Sequence, residues 1–474
     1  MRIISILLLV TGITACAQTS NINPDSRLSL DQGSWQQLPV KSNKDNGNSD
    51  TGYKGWYQQY ANAQLVTLID TAISNNQSLQ QLGLSVQIQK RRLSIAEAAL
   101  FPMITLGIDA RRDRSATSIN NSASIELSSQ YEIDLWGKLN AQQQSNLYRV
   151  LSTSAQFEEA RQLLVVEVMS QYANAIQAHQ LLQLYEQRSA TSKENLNIIE
   201  IGYKSGLNEA LDVYLARNEH NSNLAKIAAQ RATKVTLLSE LQRLLGQYPS
   251  GNVASEVLNL DTSLPDINRK DVSVLPSEVI LQKPTLQSAW LDLLSADANL
   301  AVAHKQRFPS FTLNANVGKN SDTFKDILST DLVWSLIAGI SAPLFDAVTL
   351  KANEDIALYT KQQAELDYIQ AVYDSFADVE RALFKEQTLV QQYTSVANAK
   401  ENALIAESLA FEQYLKGLVT YTTVLDAQTR SVDAQSSLIT IQSQLFINRI
   451  QLHFALGSSF NGETYTSDMI NEQI

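Results

Sequence analysis

Residues 101–109 read Phe-Pro-Met-Ile-Thr-Leu-Gly-Ile-Asp, and residues 308–317 read Phe-Pro-Ser-Phe-Thr-Leu-Asn-Ala-Asn-Val. In both stretches apolar side chains alternate with polar or small ones, which is the pattern of a β-strand with two different faces. A second alternating stretch follows each of them, at 124–135 and at 332–340. Four strands of about ten residues, apolar on one side and polar on the other, are typical of a transmembrane β-barrel.

The segments that join and flank these strands fit the same interpretation. Polar residues fill 110–122 and 319–330, which we expect to be the longer extracellular loops of a barrel. Aromatic residues lie at the strand ends, where an aromatic girdle would meet the membrane interface: Phe101, Trp136, Phe308 and Phe345.

Four strands cannot close a barrel alone, because each unpaired backbone group at an edge costs several kcal/mol in lipid. The chain must therefore oligomerise if these strands lie in a membrane. Eight strands, from a dimer, leave no aqueous channel, whereas twelve strands, from a trimer, enclose a wider lumen. The pattern therefore favours a trimer.

The strand pattern belongs to a twofold internal repeat. Matching residues recur in the same order, 207 to 211 positions later. The matched pairs include Phe101-Pro102 with Phe308-Pro309, Leu135-Trp136 with Leu344-Phe345, and Gly206-Leu207 with Gly417-Leu418. The two halves of the chain are therefore predicted to share one plan.

Long helices are predicted after each strand pair. Residues 138–201 and 344–416 contain neither Gly nor Pro, and each run is followed by a second clear run at 207–245 or 418–456. At a rise of 1.5 Å per residue, such runs reach roughly 60 to 100 Å. Apolar and small residues at alternating spacings of three and four indicate coiled coils, as from Val424 to Ala455. A packed helical bundle without a pore would explain the same spacing.

The N-terminus carries a targeting signal. The apolar run from Ile3 to Val10 is too short for a membrane-spanning helix and is typical of a signal peptide. Ile13-Thr14-Ala15-Cys16 resembles a bacterial lipobox, in which the cysteine becomes the acylated mature N-terminus. Cys16 is the sole cysteine and has no internal disulfide partner, so lipidation is the economical explanation. The alternative is an ordinary signal peptide with a stray cysteine.

Composition argues against several classes of function. The net charge is −11 and no basic tract occurs, which disfavours nucleic-acid binding. The four histidines lie in separate helical segments, away from any metal-ligand spacing. No glycine-rich phosphate loop is present. We therefore expect neither an enzyme nor a metal site.

Together these features resemble the TolC-type outer-membrane efflux family, in its lipoprotein branch that works with resistance-nodulation-division pumps. The resemblance covers about residues 56–460 and depends on the repeat and the motifs above, together with Tyr131-Glu132-Ile133-Asp134-Leu135-Trp136-Gly137 and Ala342-Pro343-Leu344-Phe345-Asp346. It implies a mixed α+β membrane protein, a homotrimer with a twelve-stranded β-barrel in the outer membrane of a Gram-negative bacterium. A long α-helical coiled-coil tunnel would continue the barrel across the periplasm.

The implied function is a passive exit duct for small molecules such as drugs or toxic compounds. The implied partners are a periplasmic adaptor, an inner-membrane resistance-nodulation-division transporter and outer-membrane lipids, with no nucleic acid. No cofactor is expected apart from the N-terminal acyl and diacylglycerol lipid on Cys16. Two alternatives are a duct for type I protein secretion and a periplasmic coiled-coil scaffold lipoprotein without a channel.

The chain is predicted to divide into ten segments. They are a signal peptide (1–15), a lipid anchor and tether (16–55), a first helical segment (56–100), barrel hairpin 1 (101–137), helical hairpin 1 (138–246), an equatorial segment between the repeats (247–275), a second helical segment (276–307), barrel hairpin 2 (308–345), helical hairpin 2 (346–457) and a tail (458–474).

The resemblance also implies a periplasmic gate at the helix tips. In this family helix pairs meet near Gly206 and Gly417, which mark the tip turns. Asp426 matches a carboxylate that rings the pore, Asp212 matches the tip carboxylate of the first half, and Tyr414 matches a tyrosine that links neighbouring helix pairs in the closed state. For both aspartates the alternative is a favourable helix N-terminal charge.

This chain departs from the family pattern at two gate positions. Thr423 stands where the family has a second aspartate, and Val419 stands where one member has an arginine that locks the closed state. Lys204, Arg217 and Lys416 are the candidates to replace that arginine.

Overall fold

The computed structural model describes Tyr57, Tyr60 and residues 61–252, 258–260, 264 and 283–457. The helices are α1 (Ala63–Asn75), α2 (Gln77–Ala98), α3 (Lys138–Lys204), α4 (Ala210–Leu244), α5 (Pro284–Lys305), α6 (Thr349–Leu415) and α7 (Tyr421–Ala455). The strands are β1 (Met103–Arg114), β2 (Ile119–Ile133), β3 (Ser310–Ser321) and β4 (Val333–Ser341). The predicted signal peptide, the tether with Cys16, and the tail lie outside the described residues, as do most of 247–275 and the first residues of 276–307.

The four strands form one antiparallel sheet in the order β1-β2-β3-β4. Its register joins the predicted apolar positions into rows that cross all four strands. One such row is Leu106, Leu127, Val317 and Trp334. The adjacent row lies on the opposite face and is polar: Thr105, Ser128, Asn316 and Ser335. The sheet thus has one apolar face and one polar face, as the alternation predicts.

The predicted loops are shorter than expected. β1 continues to Arg114 and β2 begins at Ile119, so only 115–118 join them, and the prediction of a loop at 110–122 is wrong. β3 likewise continues to Ser321, into the loop predicted at 319–330. The reason is that the strand ladder is made by backbone hydrogen bonds, which continue between polar residues beyond the apolar band.

The helical hairpins repeat each other in length. α3 and α6 each have 67 residues, and α4 and α7 each have 35. A 67-residue helix is about 100 Å long. The predicted seam of α7 faces the interior, with Val424, Ile441 and Leu452 all buried. Among the described helices, none combines the length and apolarity needed to cross a membrane.

The first helical segment is two helices and not one. Asn76 separates α1 from α2, and its side chain accepts a hydrogen bond from the backbone N–H of Leu79, which caps α2. Its amide also donates to the carbonyl of Leu244 at the end of α4, 3.1 Å away. Asparagine caps are favoured because they satisfy an N–H group left free at a helix start. The break therefore ties the first segment to helical hairpin 1.

An aspartate caps the long helix at each junction between the sheet and a helical hairpin. Asp134 accepts hydrogen bonds from the backbone N–H groups of Leu139 and Asn140, at 3.0 and 2.9 Å. Asp346 accepts from the N–H of Leu350 at 2.7 Å. A carboxylate at this end of a helix also interacts favourably with the helix dipole. Both long helices therefore start at a fixed point below the sheet.

Candidate functional site

The candidate site is the pair of turns at the ends of the helical hairpins, opposite the sheet. Gly206 lies two residues after the end of α3 and Gly417 two residues after the end of α6, both with φ +71°. In each turn the residue after the glycine donates its backbone N–H to a carbonyl in the last turn of the helix. These hydrogen bonds run from Leu207 N to the Gly202 carbonyl at 2.8 Å and from Leu418 N to the Gln413 carbonyl at 2.9 Å. This left-handed glycine motif satisfies carbonyls that a helix end leaves free.

The two tips pack on each other within the chain. Their shared core consists of Ile199, Val213, Ala216, Ala410, Tyr421 and Val424, with Tyr414 and Leu425 at its margin. Ile199 and Val424 are completely buried. The first three residues belong to helical hairpin 1 and the rest to helical hairpin 2. The core therefore joins two hairpins that are about 200 residues apart in sequence.

A hydrogen bond between Tyr414 and Asp212 joins the same two tips. The Tyr414 hydroxyl donates to Asp212 Oδ2 at 3.0 Å, and its ring lies 5.3 Å from that of Tyr421. Burial and the neighbouring Asp212 carboxylate raise the pKa of Tyr414 well above its usual value. Burial, followed by the Glu219 carboxylate, raises the pKa of Tyr421 to about 12. Both phenols therefore stay protonated near neutral pH, and Tyr414 remains a donor.

The two aspartates predicted at the gate have different surroundings. Asp212 lies in the first turn of α4, so its charge also suits the dipole of that helix. Asp426 lies beyond the first turn of α7 and is exposed, and Arg430 Nε lies 3.0 Å from its Oδ2. The structure therefore brings Asp212 together with Tyr414 but leaves Asp426 apart from them.

The basic residues proposed from sequence do not bridge the hairpins. Arg217 binds Glu200 at 2.7 Å within helical hairpin 1, and Lys416 binds Glu412 one turn away on α6. Lys204 lies exposed at the end of α3. Val419, at the arginine position of the family lock, is partly buried in the tip turn.

Arg188 makes the bridge that sequence reasoning missed. This α3 residue is 6% exposed, and its Nη1 lies 2.7 Å from Glu407 Oε1 on α6. Its Nη2 lies 3.7 Å from Glu219 Oε1 on α4. A buried arginine thus joins three helices about five turns from the tip of α3. Sequence alone provides no signal for this bridge, because Arg188 and Glu407 are 219 positions apart.

The described residues contain no cluster of three or more His, Cys, Asp or Glu side chains that could hold a metal ion. Some charged residues of the tips pair within one helix, as Asp426 does with Arg430, whereas Asp212 and Glu200 bind partners on another helix. This arrangement can hold two helical hairpins together, and it can release them if the pairs separate.

Comparison with known proteins agrees with this architecture. The model of the family described as outer membrane efflux protein matches residues 68–247 and 275–458. The chain belongs to this family. The resemblance inferred from the residues is thereby confirmed.

Two curated relatives of this efflux protein extend over nearly the same length. Cation efflux system protein CusC of Escherichia coli O6:H1 is 27% identical over 410 residues, 86% of this chain and 88% of that protein. The probable outer membrane lipoprotein SilC of Salmonella typhimurium is 27% identical over 417 residues, again 86% of this chain and 88% of that protein.

A solved channel has the same fold. The CmeC outer membrane channel of Campylobacter jejuni superposes with a TM-score of 0.82 at 20% identity, covering 92% of this chain and 94% of that one. The predicted fold class is confirmed in its α+β plan and its long helical hairpins, with four strands among the residues that the structure describes. This efflux protein is a channel of the outer membrane, and its family consists of channels and not enzymes.

Proposed function

We propose that this efflux protein works as a homotrimer that forms the exit duct of a tripartite pump. The supporting observation is the sheet with an exposed apolar face and two open edges, since β1 and β4 each pair on one side only within the described residues. Open edges are untenable in lipid, and joining β4 of one copy to β1 of the next closes a twelve-stranded barrel. Its polar face then lines a lumen.

The duct carries small molecules, such as drugs or toxic compounds, down a gradient that its partners maintain. An inner-membrane resistance-nodulation-division transporter supplies the energy, and a periplasmic adaptor connects it to the helix tips. The printed names of CusC and SilC support the efflux role and the lipoprotein branch. Cys16 carries the N-terminal acyl and diacylglycerol lipid in this proposal.

The gate opens when helical hairpin 2 swings away from helical hairpin 1. The contacts between the hairpins that must then separate are Tyr414 with Asp212, Arg188 with Glu407, and the shared apolar tip core. The left-handed glycines Gly206 and Gly417 keep both tip turns compact while the helices move. Adaptor docking supplies the free energy for this change.

Electron microscopy of the full-length protein in lipid nanodiscs tests the duct. We expect a threefold ring in the disc and a tube that projects roughly 100 Å from it, the length of α3 and α6. A lipid-tethered rod with no ring in the bilayer contradicts the duct and supports the scaffold alternative.

Asp426→Ala should weaken the cation preference of the open channel. Three copies of Asp426 form a ring by symmetry, and a ring of carboxylates attracts cations. Arg430 lies beside each carboxylate, so Arg430→Ala should shift selectivity in the opposite direction. The measurement is the reversal potential of single channels under a salt gradient. An unchanged reversal potential in both variants argues against a position facing the pore.

Cys16→Ser should abolish lipid attachment. A lipobox requires the thiol at one position, so moving the sole cysteine by four residues, in Cys16→Ser/Ser20→Cys, should not restore the lipid. The measurement is incorporation of labelled palmitate, with the mass of the N-terminal peptide. Equal labelling of the natural chain and the shifted variant contradicts acylation at Cys16.

A further inference from the structure

Trp136, just after strand β2, contacts the residues at the start of β3 within one chain. Its indole Nε1 donates a hydrogen bond to the carbonyl of Pro309 at 2.7 Å. Its ring centroid lies 5.2 Å from that of Phe308 and 6.3 Å from that of Phe311. The contact therefore joins the two barrel hairpins just below the paired part of their strands.

The internal repeat places the same kind of residues at the two open edges of the sheet. Phe345 follows β4 where Trp136 follows β2, and Phe101-Pro102 precedes β1 where Phe308-Pro309 precedes β3. In the single chain both phenylalanine side chains are exposed, Phe345 to 91% and Phe101 to 70%. Both halves of a Trp136-like contact are thus present, but they lie on opposite edges of the sheet.

The backbone after Phe345 is held in a costly conformation. Val348 has φ +77° and precedes α6, where the first repeat has Gly137 with φ +71° before α3. A left-handed conformation suits glycine but is strongly disfavoured for a β-branched residue. Ala347 is also left-handed, with φ +51°. The junction of the second repeat therefore keeps the geometry of the first despite an unfavourable sequence.

We propose that Phe345 of one copy packs on Phe101 and Pro102 of the partner subunit and so repeats the Trp136 contact across each subunit boundary. The partner is a second copy of this chain, because β4 and β1 are the two edges that a closed barrel must join. This inference rests on the proposed trimer. The proposed contact adds an aromatic interaction between subunits at the level where the barrel meets the tunnel.

Cysteine cross-linking in native membranes tests the contact. In the lipidated protein Phe101→Cys/Phe345→Cys, a short bifunctional maleimide should yield covalent dimers and trimers on a denaturing gel. Either single variant should yield at most a tenth of that product. Because Cys16 is present in all variants, the single variants also show how much cross-linking involves Cys16. The matched control Trp136→Cys/Phe308→Cys should cross-link only within the chain and run as a monomer.

The outcomes separate this contact from the trimer itself. Suppose that electron microscopy shows a threefold ring but Phe101→Cys/Phe345→Cys gives no covalent dimers or trimers on the gel. That result overturns the contact and leaves the duct intact. An assembly other than a trimer overturns both. Cross-linking of the edge pair within single chains also overturns the contact, because it places Phe101 beside Phe345 of the same copy.

Discussion

Leu127→Arg is expected to remove the protein from the outer membrane, whereas Ser128→Arg at the next position is expected to leave it there. The two residues are neighbours on β2 but lie on opposite faces of the sheet. Leu127 stands between Leu106 and Val317 in the apolar row, and Ser128 stands between Thr105 and Asn316 in the polar row.

The size of the difference follows from the surroundings of the new charge. Arginine on the lipid face of a barrel costs about 2 to 4 kcal/mol near the bilayer midplane. In the proposed trimer that cost is incurred three times. Arginine on the polar face lies in water and costs far less, but it changes the charge of the lumen.

Fractionation of cell envelopes measures the first effect, with heat-modifiable trimers on gels as a second readout. We expect a loss of at least tenfold in outer-membrane trimer for Leu127→Arg and near-normal amounts for Ser128→Arg. Planar-bilayer recordings of Ser128→Arg should show a shift towards anions. Equal amounts of both variants in the outer membrane would contradict the assignment of the two faces.

Arg188→Met is expected to hold the tips open. The substitution keeps the unbranched side chain but removes the charge that joins α3 to Glu407 on α6 and Glu219 on α4. Removing one partner of a buried ion pair typically costs about 3 to 5 kcal/mol. Glu407 and Glu219 are 21% and 23% exposed, so solvent screening places the cost towards the low end of that range or below it.

A cost of only about 1.4 kcal/mol already shifts an equilibrium tenfold. We therefore expect channels of Arg188→Met in planar bilayers to be open at least ten times more often than those of the natural protein. Glu407→Gln should act in the same direction with a smaller effect, since the amide still accepts a hydrogen bond.

The matched control is Arg231→Met. Arg231 pairs with Glu186 at 2.7 Å, but both side chains are exposed and both lie in helical hairpin 1. Such surface pairs contribute little, and this one does not cross between the hairpins. Thermal dissociation of the trimer shows whether each variant remains assembled. Intact Arg188→Met trimers with unaltered gating would contradict the role of Arg188 in closure.

The parts of the fold that depend on local patterns were predictable from sequence. Alternation along β1 to β4 assigns the faces of the sheet because side chains of a strand point alternately to its two sides. Glycine at 206 and 417 marks the helix ends because the turns require a left-handed residue. The two matching Gly- and Pro-free runs indicate the paired helices.

Features that depend on distant partners were not predictable in the same way. Arg188 and Glu407 are 219 positions apart, and no local pattern pairs them. The strands run past their apolar residues because backbone hydrogen bonds do not depend on side-chain polarity. The break at Asn76 depends on a cap that also reaches Leu244, which is distant in sequence. Gate roles for Asp212, Tyr414 and Asp426 remain predictions.

The equal lengths of the two helical hairpins have a consequence for stoichiometry. Because α3 and α6 have the same number of residues, as do α4 and α7, both tips of a chain end at one level. The proposed trimer therefore presents six nearly equivalent helix tips in one ring as binding sites for a partner. The sites alternate between two types, because the tips of helical hairpins 1 and 2 differ in sequence. A partner present in six copies can occupy every site, while a partner that binds only one of the two types of site binds as three copies per trimer.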